Sequence, residues 1–221
     1  TRRDFLDEIL IQAFPEYQKI LRSYKKIITS RNRILARISE WKSQGSELNF
    51  WDSEYIRSCL EVYRYRDILS ENLRENIEYM KEYFFWKVEQ LNYLYISKIP
   101  QDERKNYLES YIQANRQKEI LQRKTLRWPH LDDFEISVDQ IPLTHFASRW
   151  EVKSILLWLK FLWGDFILKY SHKSDIIFLI DDILSELDDA HIELIYWYIW
   201  ERQCIITSIH DIWWNTHKIF I

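Results

Sequence analysis

Apolar residues recur at steps of three or four along the first part of the chain, at Ile20, Tyr24, Ile27, Ile34, Ile38 and Trp41, with Arg31 interrupting the series once. This is the seam of an amphipathic helix. On a neighbouring face Arg22, Lys26, Arg33 and Arg37 follow the same helical spacing. Gln44-Gly45-Ser46 marks a turn, and the stretch from Phe50 to Met80, with charges of both signs, predicts a second helix. The two together predict an antiparallel helical arm. The period then shortens. Val88, Leu91, Tyr93 and Tyr95 alternate as in a strand, Asp102 to Gln122 returns to helix, and Trp128 to Phe146 reads as short strands and turns. Ser148 to Tyr170 predicts a helix with a nearly continuous apolar face. Ile176 to Ile180 is an apolar run of strand length, His191 to Trp200 a helix, Cys204 to Ile206 a buried strand, and Lys218 to Ile221 a candidate last strand. Such strand–helix–strand alternation predicts a parallel sheet covered on both faces.

Composition narrows the function classes. At 221 residues and 47% hydrophobic content the chain can build a sizeable core, and its 29% charged residues suit an aqueous protein. The net charge of −3 supplies no overall basic field for nucleic acid, so any such contact needs a local patch. Cys59 and Cys204 match no metal or disulfide spacing and are expected to be reduced and buried. No signal peptide and no uninterrupted membrane-spanning stretch is visible, which makes cytoplasm the expected location. One pair of counts is abnormal: 2 glycines against 11 tryptophans, where glycine ordinarily makes up about 7% of a chain.

The run Ile176-Ile177-Phe178-Leu179-Ile180-Asp181-Asp182 carries the strongest chemistry. Acids at the C-terminal edge of a parallel sheet lie where such folds bind ligands, and hard cations such as Mg²⁺ take oxygen ligands. On this reading Asp181 serves the metal through water and Asp182 serves an attacking water. Taken alone, a strand ending in a solvated acidic turn is the commoner explanation. Ser185-Glu186-Leu187-Asp188 follows at once, however, and upstream Ser148-Arg149-Trp150-Glu151-Val152-Lys153-Ser154 opens a helix.

Asp-Asp-x-x-Ser-Glu-Leu-Asp after an apolar strand resembles the Walker B and D-loop run of the RecF family of DNA-repair ATPases. The segment from Ser148 resembles the family's signature motif, and Trp128-Pro129-His130-Leu131-Asp132-Asp133 resembles its Gly-Pro-His-Arg-Asp-Asp run. Arg2-Arg3-Asp4-Phe5-Leu6-Asp7, Arg31-Asn32 and Cys204 to Ser208 match in order as well. The resemblance implies an α/β fold: an ABC/SMC-type ATPase head with a mainly parallel sheet and flanking helices, over residues 86–221, and an inserted α-helical arm over 1–85. It implies ATP and Mg²⁺ as ligands. Asp181 would be the metal residue and Asp182 the catalytic one, and Ser148, Arg149, Trp150, Glu151, Lys153, Ser185 and Asp188 would lie around nucleotide. It also implies an ATP-dependent homodimer acting on DNA at single-strand/double-strand junctions, together with recombination-mediator proteins. The stripe Arg22, Lys26, Arg33, Arg37 would be the DNA contact, against the plainer alternative of a solvated face paired with nearby acids.

The chain departs from this pattern in three places. No Gly-x-x-x-x-Gly-Lys-Ser/Thr loop occurs, which predicts a fragment unable to grip the β-phosphate on its own. Leu131 stands where the family has arginine, and Trp128 and Trp150 stand where it has glycine. The tryptophans admit two accounts. One is decay to an ATP-incompetent protein, a helical scaffold or interaction module. The other is a genetic code in which UGA specifies glycine, so that reading UGA as tryptophan writes Trp at glycine sites. The second also explains the missing glycines, the pair Trp213-Trp214 in a loop and Trp200 at a helix end; Trp51 fits the family's own pattern. His130 is expected to make a structural hydrogen bond, and Tyr83, Phe84, Phe85, Tyr93 and Tyr95 are expected in core packing rather than on bases.

Overall fold

The computed structural model describes residues 2–84, 90–97, 99–127, 129, 132–143, 149–182, 189–200 and 202–208. The chain opens with helix α1 (Arg2–Ala13), which the periodicity alone did not predict. After a turn at Pro15, where a missing N–H interrupts helical bonding, it continues into α2 (Tyr17–Ser39) and then α3 (Glu47–Phe84). Tyr17 meets Tyr65 with ring centroids 5.3 Å apart, and Arg31 meets Asp52 further along, so α2 and α3 run antiparallel. The seam of α2 is buried as expected at Tyr24 and Ile27, whereas Ile20, Ile34 and Ile38 are only half-buried, and Leu21, Ile28 and Leu35 beside them are buried instead. Trp41 does not belong to it. The helix has ended by then, and the indole is 96% exposed.

Strand β1 (Leu91–Ile96) leads into helix α4 (Arg104–Gln122), which packs across α2 and α3. Strands β2 (Asp133–Val138) and β3 (Ile141–Pro142) follow. β1 and β2 pair antiparallel with Leu91 opposite Val138 and Ile96 opposite Asp133, and β3 adds to the other edge of β2. Strict alternation buries Phe134, Ile136 and Val138 on one face of β2. These three strands therefore form an antiparallel sheet of their own, outside the parallel one.

The parallel sheet comes next. Helix α5 (Arg149–Tyr170) precedes β4 (Ile177–Asp181), and helix α6 (Asp189–Ile199) crosses over to β5 (Gln203–Thr207). β4 and β5 are parallel, with Phe178 opposite Cys204 and Asp181 opposite Thr207. This is the βαβ arrangement that the alternation predicted. The expectation that both faces are covered is not met among the described residues. Phe178, Ile180, Cys204 and Ile206 turn inward, whereas Ile177, Leu179 and Ile205 on the other face are 50%, 75% and 58% exposed. Among the described residues helices cover one side only. Cys204, on the covered side, is half-buried rather than buried; Cys59 is fully buried, and both thiols are free. No helix among the described residues is long and apolar enough to cross a membrane.

Gly164 sets how closely α5 approaches β4. A Cβ added there would lie 2.5 Å from the Phe178 ring, which packs edge-on against Phe161. Gly164→Ala is therefore expected to destabilise the protein. Overpacking costs about 1–3 kcal/mol, against a helix-propensity gain of about 1 kcal/mol. A denaturation midpoint equal to or above that of the parent would show that Phe178 moves aside freely.

Candidate functional site

Asp181 is the last residue of β4 and Asp182 the first beyond it, both exposed. Parallel pairing brings Thr207, the last residue of β5, beside them. The Thr207 hydroxyl donates to Asp181 Oδ1 and accepts from the Asp182 N–H at 3.0 Å, and the Thr207 carbonyl accepts from the same N–H at 3.1 Å. One side chain thus fixes the carboxylate of the first acid and the backbone of the second. Asp182 has φ 45°, a left-handed turn that aspartate tolerates better than most residues, so the chain breaks sharply away from the sheet there. Asp181 and Thr207 lie on the face that no helix covers among the described residues. They place a carboxylate and a hydroxyl side by side at the C-terminal edge of a parallel sheet, where α/β folds bind ligands.

Packing behind the strands holds this edge in place. Besides the Gly164–Phe178 contact, Asp165 on α5 accepts from the Tyr198 hydroxyl of α6 and, at 2.9 Å, from Arg202 Nη2. The Arg202 guanidinium also lies 3.7 Å from the centroid of the Tyr198 ring. The crossover from β4 to β5 is thereby tied to α5 just before β5 begins.

The other expected site residues are placed less completely. Lys153 is half-exposed on the first turns of α5. Arg149, Trp150 and Glu151 belong to the first turn of that helix by backbone, while Ser148, Ser185 and Asp188 lie outside the described residues, as do Trp128, His130, Leu131, Phe85, Trp213, Trp214 and the candidate strand 218–221. Arg22, Lys26, Arg33 and Arg37 are all exposed on one side of α2. Among the described residues no acid pairs with Arg22, Lys26 or Arg33, and Arg37 reaches only the Lys42 carbonyl, at 3.4 Å.

Two buried networks were not anticipated. Arg31, the residue that interrupts the seam, is wholly buried. Its Nε donates to Asp52 at 2.9 Å, its Nη1 to Thr125 Oγ1 at 2.7 Å and its Nη2 to Glu119 at 2.6 Å. Glu119 also accepts from the Leu126 N–H, Asn32 accepts from both the N–H and the hydroxyl of Thr125, and Arg116 closes the set on Asp52. Burial alone would lower the pKa of the Arg31 guanidinium; Glu119 and Asp52 reverse this and hold it above its ordinary value. The second network centres on Arg66. It donates to Asp7 at 2.9 Å and to the Pro129 carbonyl, and lies 3.7 Å from Asp132. Asp132 accepts from Tyr95 at 2.8 Å and Ser97 at 3.1 Å. Burial pushes the Asp132 carboxyl above its usual range, opposed by those hydroxyls, by Tyr63 and by Arg66. Asp7 and Asp132, each inside a run singled out in the sequence, thus meet on one guanidinium. Tyr93 is buried and Tyr95 half-buried, stacking and bonding within the protein as expected.

A parallel strand pair with acids at its C-terminal edge, flanked by helices and joined to a long helical pair, makes an α/β fold. Structural comparison agrees: the chain superposes with a TM-score of 0.81 on the structure of the recombination mediator protein RecF with ATP in the RecFOR pathway, covering 95% of this chain and 57% of that one at 20% identity. No family model matches. The DNA replication and repair protein RecF of Heliobacterium modesticaldum is 31% identical over 194 residues, 85% of this chain and 51% of the relative. That of Nostoc punctiforme is 30% identical over 220 residues, 95% and 58%. The chain is similar to RecF proteins over most of its own length, and spans little more than half the length of these curated relatives.

Proposed function

We propose that this chain is the signature and Walker B part of a RecF-type DNA-repair ATPase, in which ATP joins two heads, the dimer holds DNA at single-strand/double-strand junctions, and slow hydrolysis releases it. The observation that carries the reading is the pair Asp181 and Asp182, set at the C-terminal edge of parallel strands by Thr207. Their chemistry fits Mg²⁺, which keeps most of its water and takes one or two carboxylates plus substrate phosphate rather than a closed protein cage. Asp181 would hold the ion, and the bound ion would neutralise charge on the phosphate oxygens. Asp182, turned out of the strand, would orient the attacking water and accept its proton.

The α5 N-terminus, with Ser148, Arg149, Glu151 and Lys153 and with glycine at position 150, would face the γ-phosphate held by a second subunit; Ser185 and Asp188 would line the same interface. Recombination-mediator proteins are the expected partners of the dimer. With no phosphate loop in its 221 residues, the chain alone is not expected to bind ATP tightly. In a longer RecF-type chain, further head strands would cover Ile177, Leu179 and Ile205.

The nucleotide half of this reading stands or falls with Asp182, whose replacement should stop turnover and spare binding. The DNA half rests on the α2 stripe, which is exposed and has no acidic partner among the described residues, as phosphate contact rather than a self-paired face would have it. Replacing Arg22, Lys26, Arg33 and Arg37 with Ala in the full-length protein should flatten the log–log salt dependence of DNA binding by ~3–4 units. An unchanged slope would assign the stripe to solvent.

A further inference from the structure

Helix α2 ends in a complete Schellman motif. The Lys42 N–H donates to the Arg37 carbonyl at 2.8 Å and the Trp41 N–H to the Ile38 carbonyl at 3.0 Å, with Glu40 as the C-cap. Trp41 therefore occupies the position just past the cap, and its φ is 59°. That position calls for the left-handed conformation, and glycine is its usual occupant because it has no Cβ to crowd the following carbonyl. Polar residues such as Asp139, Gln140 and Arg123 also take positive φ in this chain, but among the described residues Trp41 is the one large apolar side chain that does so. Nothing offsets the strain. The indole is 96% exposed, so it gains almost no packing, in contrast to Trp51, which packs edge-on against Phe50 with centroids 5.3 Å apart.

We infer that position 41 is glycine in the protein the cell makes, inserted at a UGA codon. The observation behind this is independent of the signature residues, because it rests on backbone dihedral angle, helix-end hydrogen bonds and exposure in the helical pair, far in sequence from Trp128 and Trp150. It makes reassignment a property of the whole gene rather than local decay of a nucleotide site. It does not depend on the ATPase reading, since the codon at position 41 can come out either way whatever Asp182→Asn does to turnover.

The test is peptide mass spectrometry on the protein from its native source, alongside the codon. The expected result is UGA at position 41 and a peptide lighter by the indolylmethyl group, with glycine in the sequence. Tryptophan in that peptide, or a UGG codon, overturns the inference. A second measurement checks the physical premise in full-length protein carrying the sequence as written. Trp41→Gly should raise Tm by about 2–4 °C, whereas Trp51→Gly should lower it. A Tm unchanged or lowered by Trp41→Gly would show that the fold uses the indole, and would equally overturn the inference.

Discussion

In the full-length protein, Asp182→Asn is expected to leave ATP binding intact and to slow hydrolysis by about 10²–10⁴-fold, the range for losing a positioned general base. Asparagine preserves the shape and can keep the backbone turn at Asp182, so the Thr207 contacts to its N–H should survive. Asp181→Asn acts differently. It keeps an acceptor for the Thr207 hydroxyl but removes the negative charge from the edge of the sheet, so Mg²⁺-dependent binding should weaken first and turnover should fall in consequence. Titration of nucleotide with and without Mg²⁺, followed by single-turnover hydrolysis, separates the two. Equal loss of binding in both variants would overturn the division of roles.

The largest effect on stability is expected at Arg31. Arg31→Met keeps much of the side-chain volume but leaves Asp52 and Glu119 with fewer partners in a site closed to solvent, a loss of about 3–5 kcal/mol. Arg31→Lys should restore little of it, because an ammonium cannot serve Asp52, Thr125 and Glu119 with the planar fork that the guanidinium provides. Replacing Arg31, Asp52 and Glu119 together by apolar residues of similar size should recover much of the loss, since no buried charge is then left alone. Chemical denaturation of the three variants decides the matter. A cost below about 1 kcal/mol for Arg31→Met would mean that water reaches the site and compensates the acids.

Apart from α1, the helices and strands described were legible to within a few residues because each carries its own period. Helix α5, for example, begins at Arg149 where the apolar face predicted Ser148, and β4 covers Ile177–Asp181 where the run suggested Ile176–Ile180. The acidic end of β4 was legible for the same reason. What escaped the pattern depends on partners distant in sequence. Arg31 was visible as an interruption, but its acids lie 21 and 88 residues away on other helices. Asp7 and Asp132 stood in noticeable runs, yet nothing local pointed to Arg66 between them. Burial on one face or both could not be told from Ile177 and Leu179 either, because an apolar strand reads alike whether its outer face is covered by helices or left for another layer. Trp41 shows the converse error, since an apolar residue at the right spacing was assigned to a seam that the helix does not live to complete.

The length of α3 has a mechanical consequence. Its 38 residues form one unbroken helix, roughly 57 Å from end to end at 1.5 Å per residue. Asp52 near its start is clamped by Arg31 and Arg116, and Arg66, fourteen residues on, is clamped by Asp7, Asp132 and the Pro129 carbonyl. Two charged clamps on one rod leave it little freedom to swivel between them. A push delivered near the exposed α2–α3 turn would be carried along the rod to the β1–β2 sheet as a tilt rather than absorbed by bending, so whatever grips that end has a lever on the other.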